Sequence, residues 1–421
     1  MLKTPKLRFK DKNGNAYPEW EEKAMEHFGT FLKGNNLSKA DLTLNGYPCI
    51  LYGELYTKYS EITEKIHSYT ARLEANQTIG NMNDVLIPSS GETAIDISTA
   101  TCLLVNNVLL GGDLNVFRPK EQDGRFISYE LNHKKRRKIA SIAQGATVVH
   151  LYPNFLKKLK IILPCLEEQE KIAGFLSKVD ELINECEGEV KDLEEQKKGL
   201  MQKIFSQQIR FKDSNNNPYP DWEYIPVGKV FNTITDFVAA GSFADLRKNV
   251  EYQNQPSFAQ LIRTVDLKKK FQQDDAVYVN ETAFKFLWRV NLDENSLILP
   301  NIGANIGEVY YVTPNKLPYS NNVLGPNAIL LKSSKNNLFY LYTYAQTDYF
   351  KKALFLQVGA SGQPKFNKTD LKTIDIPIPC LEEQEKIAKV LSKMDELIEE
   401  KKALLSDWQQ FKKGLLQQMF V

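Results

Sequence analysis

The densest charge in the chain is Lys134, Lys135, Arg136, Arg137 and Lys138, five cations in succession. Such a run can neutralise several phosphates of a nucleic acid and make binding steeply salt-dependent. The same residues also suit a solvated helix face, the commonest use of a charge run. Lys351 and Lys352 precede Gly359-Ala-Ser much as the first run precedes Gly145-Ala-Thr, and Lys268, Lys269 and Lys270 form a third group. Catalytic chemistry does not assemble in the same way. The four histidines, His27, His67, His133 and His150, show neither H-E-x-x-H nor another metal-ligand spacing, so no metal is expected. No G-x-x-x-x-G-K-[ST] loop occurs, and Gly359-Ala-Ser-Gly-Gln-Pro-Lys lacks its spacing, so the chain is not expected to bind ATP as a motor does. Cys49, Cys102, Cys165, Cys186 and Cys380 are odd in number and never form C-x-x-C. They read as reduced, mostly buried thiols, not as a disulfide framework or a zinc site.

The elements that position these residues are set by repetition. Pro164 to Phe205 recurs at Pro379 to Phe420 with a constant shift of 215 and 25 identities in 42 positions. Leu7 to Glu21 (L-R-F-K-D-K-N-G-N-A-Y-P-E-W-E) recurs at Ile209 to Glu223 (I-R-F-K-D-S-N-N-N-P-Y-P-D-W-E) with 10 identities in 15. The chain is therefore a tandem of two half-units, each a short lead segment, a variable domain and a long repeated segment. Its 421 residues suit two to four domains. No apolar run approaches the roughly 18 residues that span a bilayer, and Met1 to Lys10 builds no signal-peptide core, so a cytoplasmic location is expected.

The long repeated segments carry a heptad seam. In the first copy Ile172, Leu176, Val179, Ile183, Cys186, Val190, Leu193, Lys197, Leu200 and Ile204 alternate by four and three residues. In the second, Ile387, Leu391, Met394, Ile398, Lys401, Leu405, Trp408, Lys412, Leu415 and Met419 do the same. Glu167, Glu168 and Glu170, like Glu382, Glu383 and Glu385, fall in the first turn, where carboxylates meet the positive end of the helix dipole. Lys197 and Lys412 break the seam at the same place. Two readings stand: a device that specifies register, or a side chain snorkelling to solvent. Ile172 to Ile204 spans roughly 50 Å at 1.5 Å per residue. Antiparallel pairing of two such helices would put the domains at opposite ends of a rod.

Between the repeats, residues 22–163 and 224–378 mix short β-like runs with turns, as α+β domains do. They align weakly but share anchors: Pro88-Ser-Ser-Gly with Pro300-Asn-Ile-Gly, and Gly145-Ala-Thr with Gly359-Ala-Ser. Charge is partitioned too. Residues 1–163 have a net charge of +5 and 209–378 of +3, whereas 164–208 carry −5 and 379–421 carry −1. Basic domains on acidic spacers fit a polyanion bound at two separated places.

The paired P-C-L-E-E-Q-E-K-I-A helices, the R-F-K-D and Y-P-x-W lead segments and the two dissimilar domains together resemble the specificity subunit of type I restriction-modification systems. The resemblance covers essentially the whole chain. It implies an α+β fold with target-recognition domains at 1–163 and 209–378, conserved spacer helices at 164–208 and 379–421 forming an antiparallel coiled coil, and an internal pseudo-two-fold repeat. It also implies a non-catalytic protein that needs no cofactor. Its partners would be double-stranded DNA, two methyltransferase subunits and restriction/translocase subunits, with no membrane. Amino-methyltransferases of such systems carry an Asn/Asp-Pro-Pro-aromatic motif. The nearest string, Asn217-Pro-Tyr-Pro, belongs to the repeated lead segment and lacks consecutive prolines. Glu168-Gln-Glu-Lys is similar to the end of a nuclease motif, but opens a coiled-coil helix.

On this resemblance, the domain surfaces read the DNA. Lysines and arginines such as Lys134 to Lys138 and Lys351 with Lys352 would contact phosphates, and side chains with fixed donors and acceptors would meet base edges. The candidates in the first domain are Ser89, Ser90, Glu92 and Thr93, with Thr147 beside Gly145. In the second they are Asn301 and Asn305 around Gly303, and Ser361, Gln363 and Lys365 after Gly359. Glycines there would let the backbone approach DNA; ordinary loop turns are the other reading of these residues. Two other functions stay open at this level: a fused methyltransferase, and a coiled-coil scaffold whose two domains bind protein or glycan.

Overall fold

The computed structural model describes residues 5–358 and 364–420. The chain forms two compact units, one of Met1–Gly188 with Lys402–Val421 and the other of Glu189–Lys401. The first unit is therefore built from two distant stretches of sequence. Among the described residues no helix is long and apolar enough to cross a membrane.

The long repeated segments form two helices, Leu166–Phe205 and Leu381–Met419, rich in the strong helix formers Leu, Glu, Lys and Gln. The helices touch within each unit. In the first, Asp180 meets Lys412 and Glu187 meets Gln409; in the second, Glu189 meets Lys401 and Asp395 meets Lys197. Advancing along one helix means retreating along the other, so the pairing is antiparallel in both places.

Two five-stranded sheets fill the first unit. One runs Gly29–Lys33, Leu114–Pro119, Val85–Pro88, Thr101–Leu103, Ile62–Thr63, antiparallel except at the last junction. The other runs Leu42–Thr43, Ser68–Thr70, Tyr47–Ile50, Val108–Leu110, Ile79–Gly80, with one parallel junction between Tyr47–Ile50 and Val108–Leu110. In the second unit an antiparallel sheet of Thr233–Asp236, Ala328–Lys332, Ser296–Pro300 and Tyr310–Val312 accompanies a three-stranded sheet centred on Ala259–Ile262. Val85–Pro88 and Ser296–Pro300 are wholly buried, which explains their unbroken apolar runs.

The lead segments dock at the base of each domain in the same way. Asp11 accepts the N–H groups of Asn13 and Asn15 at 2.8 Å, and Asp213 those of Asn215 and Asn217 at 2.8 Å, closing two copies of one turn. Glu21–Ala24 then pairs with Lys160–Leu163, and Glu223–Pro226 with Asp375–Ile378. Each domain is thereby clasped where its chain enters and leaves.

The glutamates that open the long helices do more than meet a helix dipole. Glu168 and Glu383 are 0% exposed. Glu168 accepts from Arg8 at 2.7 and 3.0 Å and from the Trp20 indole at 3.1 Å; Glu383 accepts from Arg210 at 2.9 Å twice and from the Trp222 indole at 2.9 Å. A buried carboxylate needs such partners, and the R-F-K-D and Y-P-x-W motifs supply them. Next along, Gln169 and Gln384 accept the backbone N–H of Asp123 and Asn337, the caps of Gly124–His133 and Leu338–Ala345.

Each core also receives the far end of a long helix. Phe126 lies 5.8 Å from Trp20 and 5.2 Å from Phe420, between ring centroids. Tyr340 lies 6.2 Å from Trp222 and 5.7 Å from Phe205. Phe205 and Phe420 are equivalent positions of the repeat, so the same aromatic plug is used twice. Seam residues near the helix starts share these cores: Ile172, Leu176 and Val179 in the first, Ile387 and Leu391 in the second. Ile183, Val190 and Ile398 are buried, whereas Leu193, Met394, Leu405 and Trp408 are half-buried.

Candidate nucleic-acid interface

In the first domain the two anchors converge, and in the second the Pro300 anchor meets the chain at Pro364 to Phe366, just past Gly359-Ala-Ser, which lies outside the described residues. In the first, Ser90–Gly91 pairs antiparallel with Val149–His150, and His150 closes a hairpin onto Gln144 through bonds of 2.7 and 2.9 Å. In the second, the Gly303 N–H meets the Pro364 carbonyl at 3.0 Å, Ile302 bridges Lys365, and Phe366 and Asn301 exchange backbone and side-chain bonds. Distant loops are thus drawn to one place in both units. Gly145 adopts φ +122°, and a Cβ there would stand 2.1 Å from the Val148 carbonyl oxygen. Its freedom is spent on closing the hairpin.

Within the first loop pair, Ser89 and Ser90 are buried, with the Ser90 hydroxyl 3.0 Å from His150 Nδ1. Glu92, Thr93 and Thr147 are exposed, and Thr93 caps its turn by bonding Asp96. Asn301 and Asn305 in the second unit are half-buried and Lys365 is exposed; Ser361 and Gln363 lie outside the described residues. Asn305 accepts from Lys268 at 2.8 Å, which brings that lysine to the loop. Asn301 and Asn327 line a hollow of about 440 Å³ with the exposed aromatics Phe243 and Tyr252 and the cation Arg247. The Asn301 side-chain oxygen is buried without a hydrogen-bond partner among the described residues, an acceptor left unspent.

The basic run does not form one helix face. Lys134 follows the helix Gly124–His133, Lys135 is the residue before the next, and Arg136, Arg137 and Lys138 open Arg136–Ile142. Lys134, Arg136, Arg137 and Lys138 are exposed. Lys135 turns inward to Glu130 at 3.5 Å. Burial pushes the Glu130 carboxyl up to about 7 against the opposing pull of Lys135 and Lys134. In the second unit Lys352 is exposed and Lys351 half-buried on the helix Asp348–Phe355.

The lysines that interrupt the seam are held by the opposite helix. Lys197 pairs with Asp395 at 2.5 Å and Lys412 with Asp180 at 2.7 Å, and the two lysines and two aspartates are equivalent repeat positions. Their side chains are 12% and 17% exposed, so they do not snorkel. Lys412 also reaches Glu61 at 3.1 Å. Burial works against its charge, but Glu61 and Asp180 together hold its pKa above the ordinary value. Asp180 is itself raised by burial, against Lys412 and the Tyr129 hydroxyl that donates to it.

The family model described as type I restriction modification DNA specificity domain matches the chain twice, over residues 17–195 and 219–406. The chain belongs to this family. It is a specificity subunit with two DNA-recognition domains, and its role is recognition, not catalysis. Among its relatives, the type I restriction enzyme MjaVIII specificity subunit of Methanocaldococcus jannaschii is 27% identical, across 97% of this chain and 94% of the relative. The putative MjaX specificity subunit of the same organism is 29% identical, across 73% and 70%. The crystal structure of the type I restriction-modification S subunit from M. genitalium shares the fold, with a TM-score of 0.64 and 18% identity over 100% of this chain and 99% of that one.

In this specificity subunit several residues of the interface escape a reading of sequence. His150 stands in no metal-ligand spacing and carries no other signal, yet it pairs the two convergent loops of the first unit. Among the described residues, no group of three or more His, Cys, Asp or Glu is placed to hold a metal ion. Phe243, Tyr252 and Asn327 carry no spacing signal, and only the fold brings them beside the Pro300 anchor.

Proposed function

We propose that this specificity subunit reads a bipartite duplex DNA target, one half per domain, and that its two long helices set the spacing and dock two methyltransferase subunits, with restriction/translocase subunits completing the assembly. The domains span 1–163 and 209–378, and the spacers 164–208 and 379–421. DNA contact comes from the convergent loops around Glu92, Thr93 and Thr147 in one domain and Asn301, Asn305 and Lys365 in the other. Phosphates are held by Lys134, Arg136, Arg137 and Lys138, and by Lys351 and Lys352. The work is cytoplasmic, where the DNA is. One observation carries the reading: two copies of a single base, with the same Arg-Glu-Trp clasp, present loops of different sequence.

The docked methyltransferase modifies an adenine that must leave the stack to be reached. Methylation-sensitive sequencing of host DNA, with the gene present and deleted beside an active methyltransferase, tests this. Loss of adenine methylation at one bipartite motif is expected; an unchanged methylome would reject the reading. Exchanging residues 22–163 for another member's domain should alter one half of the motif alone. Deleting a heptad from one helix should change the tolerated spacer or abolish binding.

A further inference from the structure

A second candidate surface lies in the second unit, away from the hollow beside Asn301. A cleft of about 740 Å³ opens between the end of the first long helix with the turn after it, from Glu194 to Gln208, and the start of the helix Asp348–Phe355. Lys197, Lys198, Lys203, Lys351 and Lys352 line it with the carboxylates Glu194 and Asp348; Lys197 is spent on Asp395, which leaves four lysines against two carboxylates. Lys198 and Lys203 stand on the segment 164–208, whose net charge is −5, and Lys351 and Lys352 on the second domain. Clustered cations in a cleft suit an oxyanion.

The cleft is joined to the reading loop. Asp348–Phe355 bounds the cleft, and the same helix packs on the loop of Asn301 and Asn305: a Cβ at Gly307 would lie 3.3 Å from Phe355 and 4.0 Å from Lys351. A backbone crossing the loop therefore has a basic path onto the long helix. The repeat places a similar pair at the other copy. Lys412 is locked to Asp180, its neighbour Lys413 is exposed, and Phe420 lies beside His133, just before the Lys134 run.

We infer that the cleft is a phosphate-binding site in which Lys198 and Lys203 of the spacer helix hold the backbone of duplex DNA beside the half-site read by the second domain. The inference rests on the DNA-reading function proposed above. It gives the spacer helix a direct grip on DNA in addition to its structural role, and that grip is blind to sequence.

The test uses the full chain assembled with its methyltransferase subunits. Binding of target and non-target duplexes is titrated across salt concentrations for the unmutated complex, K198A/K203A and K198R/K203R. The alanine pair should weaken both duplexes together, on the order of ten-fold or more near 0.1 M salt, and flatten the plot of log affinity against log salt by about 2. The arginine pair should retain both. An unchanged slope with unchanged affinity would overturn the site, as would an unchanged slope with loss of co-purifying methyltransferase, which would make the cleft a protein contact. Failure of the unmutated complex to select any duplex would sink the DNA-reading function itself.

Discussion

The base of each domain and its convergent loops follow different rules. At the base the two units match group for group: Arg8, Glu168 and Trp20 against Arg210, Glu383 and Trp222, and Phe420 on Phe126 against Phe205 on Tyr340. At the loops only the topology matches. A ribbon of Ser90–Gly91 on Val149–His150 in one unit corresponds to Asn301 and Ile302 on Lys365 and Phe366 in the other, with different donors, charges and hollows. The base must bury charge and aromatic rings at fixed geometry, which tolerates little change. The loops are joined through backbone bonds and a few side-chain bonds of their own, so most of their side chains can differ between the units without disturbing the fold.

This contrast can be broken or sharpened by substitution. Phe420→Ala and Phe205→Ala should each remove a buried ring and destabilise the unit it plugs by about 4 kcal/mol, read from denaturant unfolding. A large loss from one and none from the other would end the equivalence of the bases. Glu168→Ala and Glu383→Ala should cost roughly 3 kcal/mol each, because an arginine and an indole N–H lose their buried acceptor. Lys412→Met should cost about 2 kcal/mol, since Asp180 and Glu61 are left facing each other. Lys197→Met should cost about 1 kcal/mol or less, because Asp395 is 35% exposed. Equal costs would show that Glu61 contributes nothing to the asymmetry.

The smallest effect concerns pH. Glu130 stands seven residues after the cap Asp123; the same step from Asn337 leads to Tyr344. With its folded pKa pushed up to about 7, Glu130 binds its proton more tightly folded than unfolded. Its contribution is therefore present below the ordinary carboxyl range and is lost as pH rises toward 7. Glu130→Gln should gain stability relative to the parent between pH 5 and 8, by melting temperature; a difference that is flat with pH would rule out the raised carboxyl.

Much of the base was legible in sequence because repetition exposes it. The heptads located both long helices, and the lead segments were recognisable as paired elements. Periodicity reports that a face is buried but not against what: Ile172 and Ile387 lie in clusters that join residues of the opposite long helix to the domain cores. Glu168 read as a dipole partner because Arg8 lies 160 residues away and no local rule links them. The Lys134 to Lys138 run read as one helix face or one phosphate clamp, whereas Lys135 neutralises a buried acid. The loops were least legible. Anchors such as Pro88-Ser-Ser-Gly marked where chains turn, but which side chains end up exposed depends on hairpins closed by residues some 60 positions away.

The plug of Phe420 in the first unit bears on the order of synthesis. A ribosome adding about 5–20 residues per second completes the second unit, residues 189–401, before the first unit receives its last stretch. From the moment Gly188 is made, the first domain waits more than 200 residues, on the order of 10 to 40 s, with Trp20 and Phe126 lacking their final neighbour. A chain released early would hold one finished DNA-recognition unit and one open core, a natural substrate for chaperone or protease.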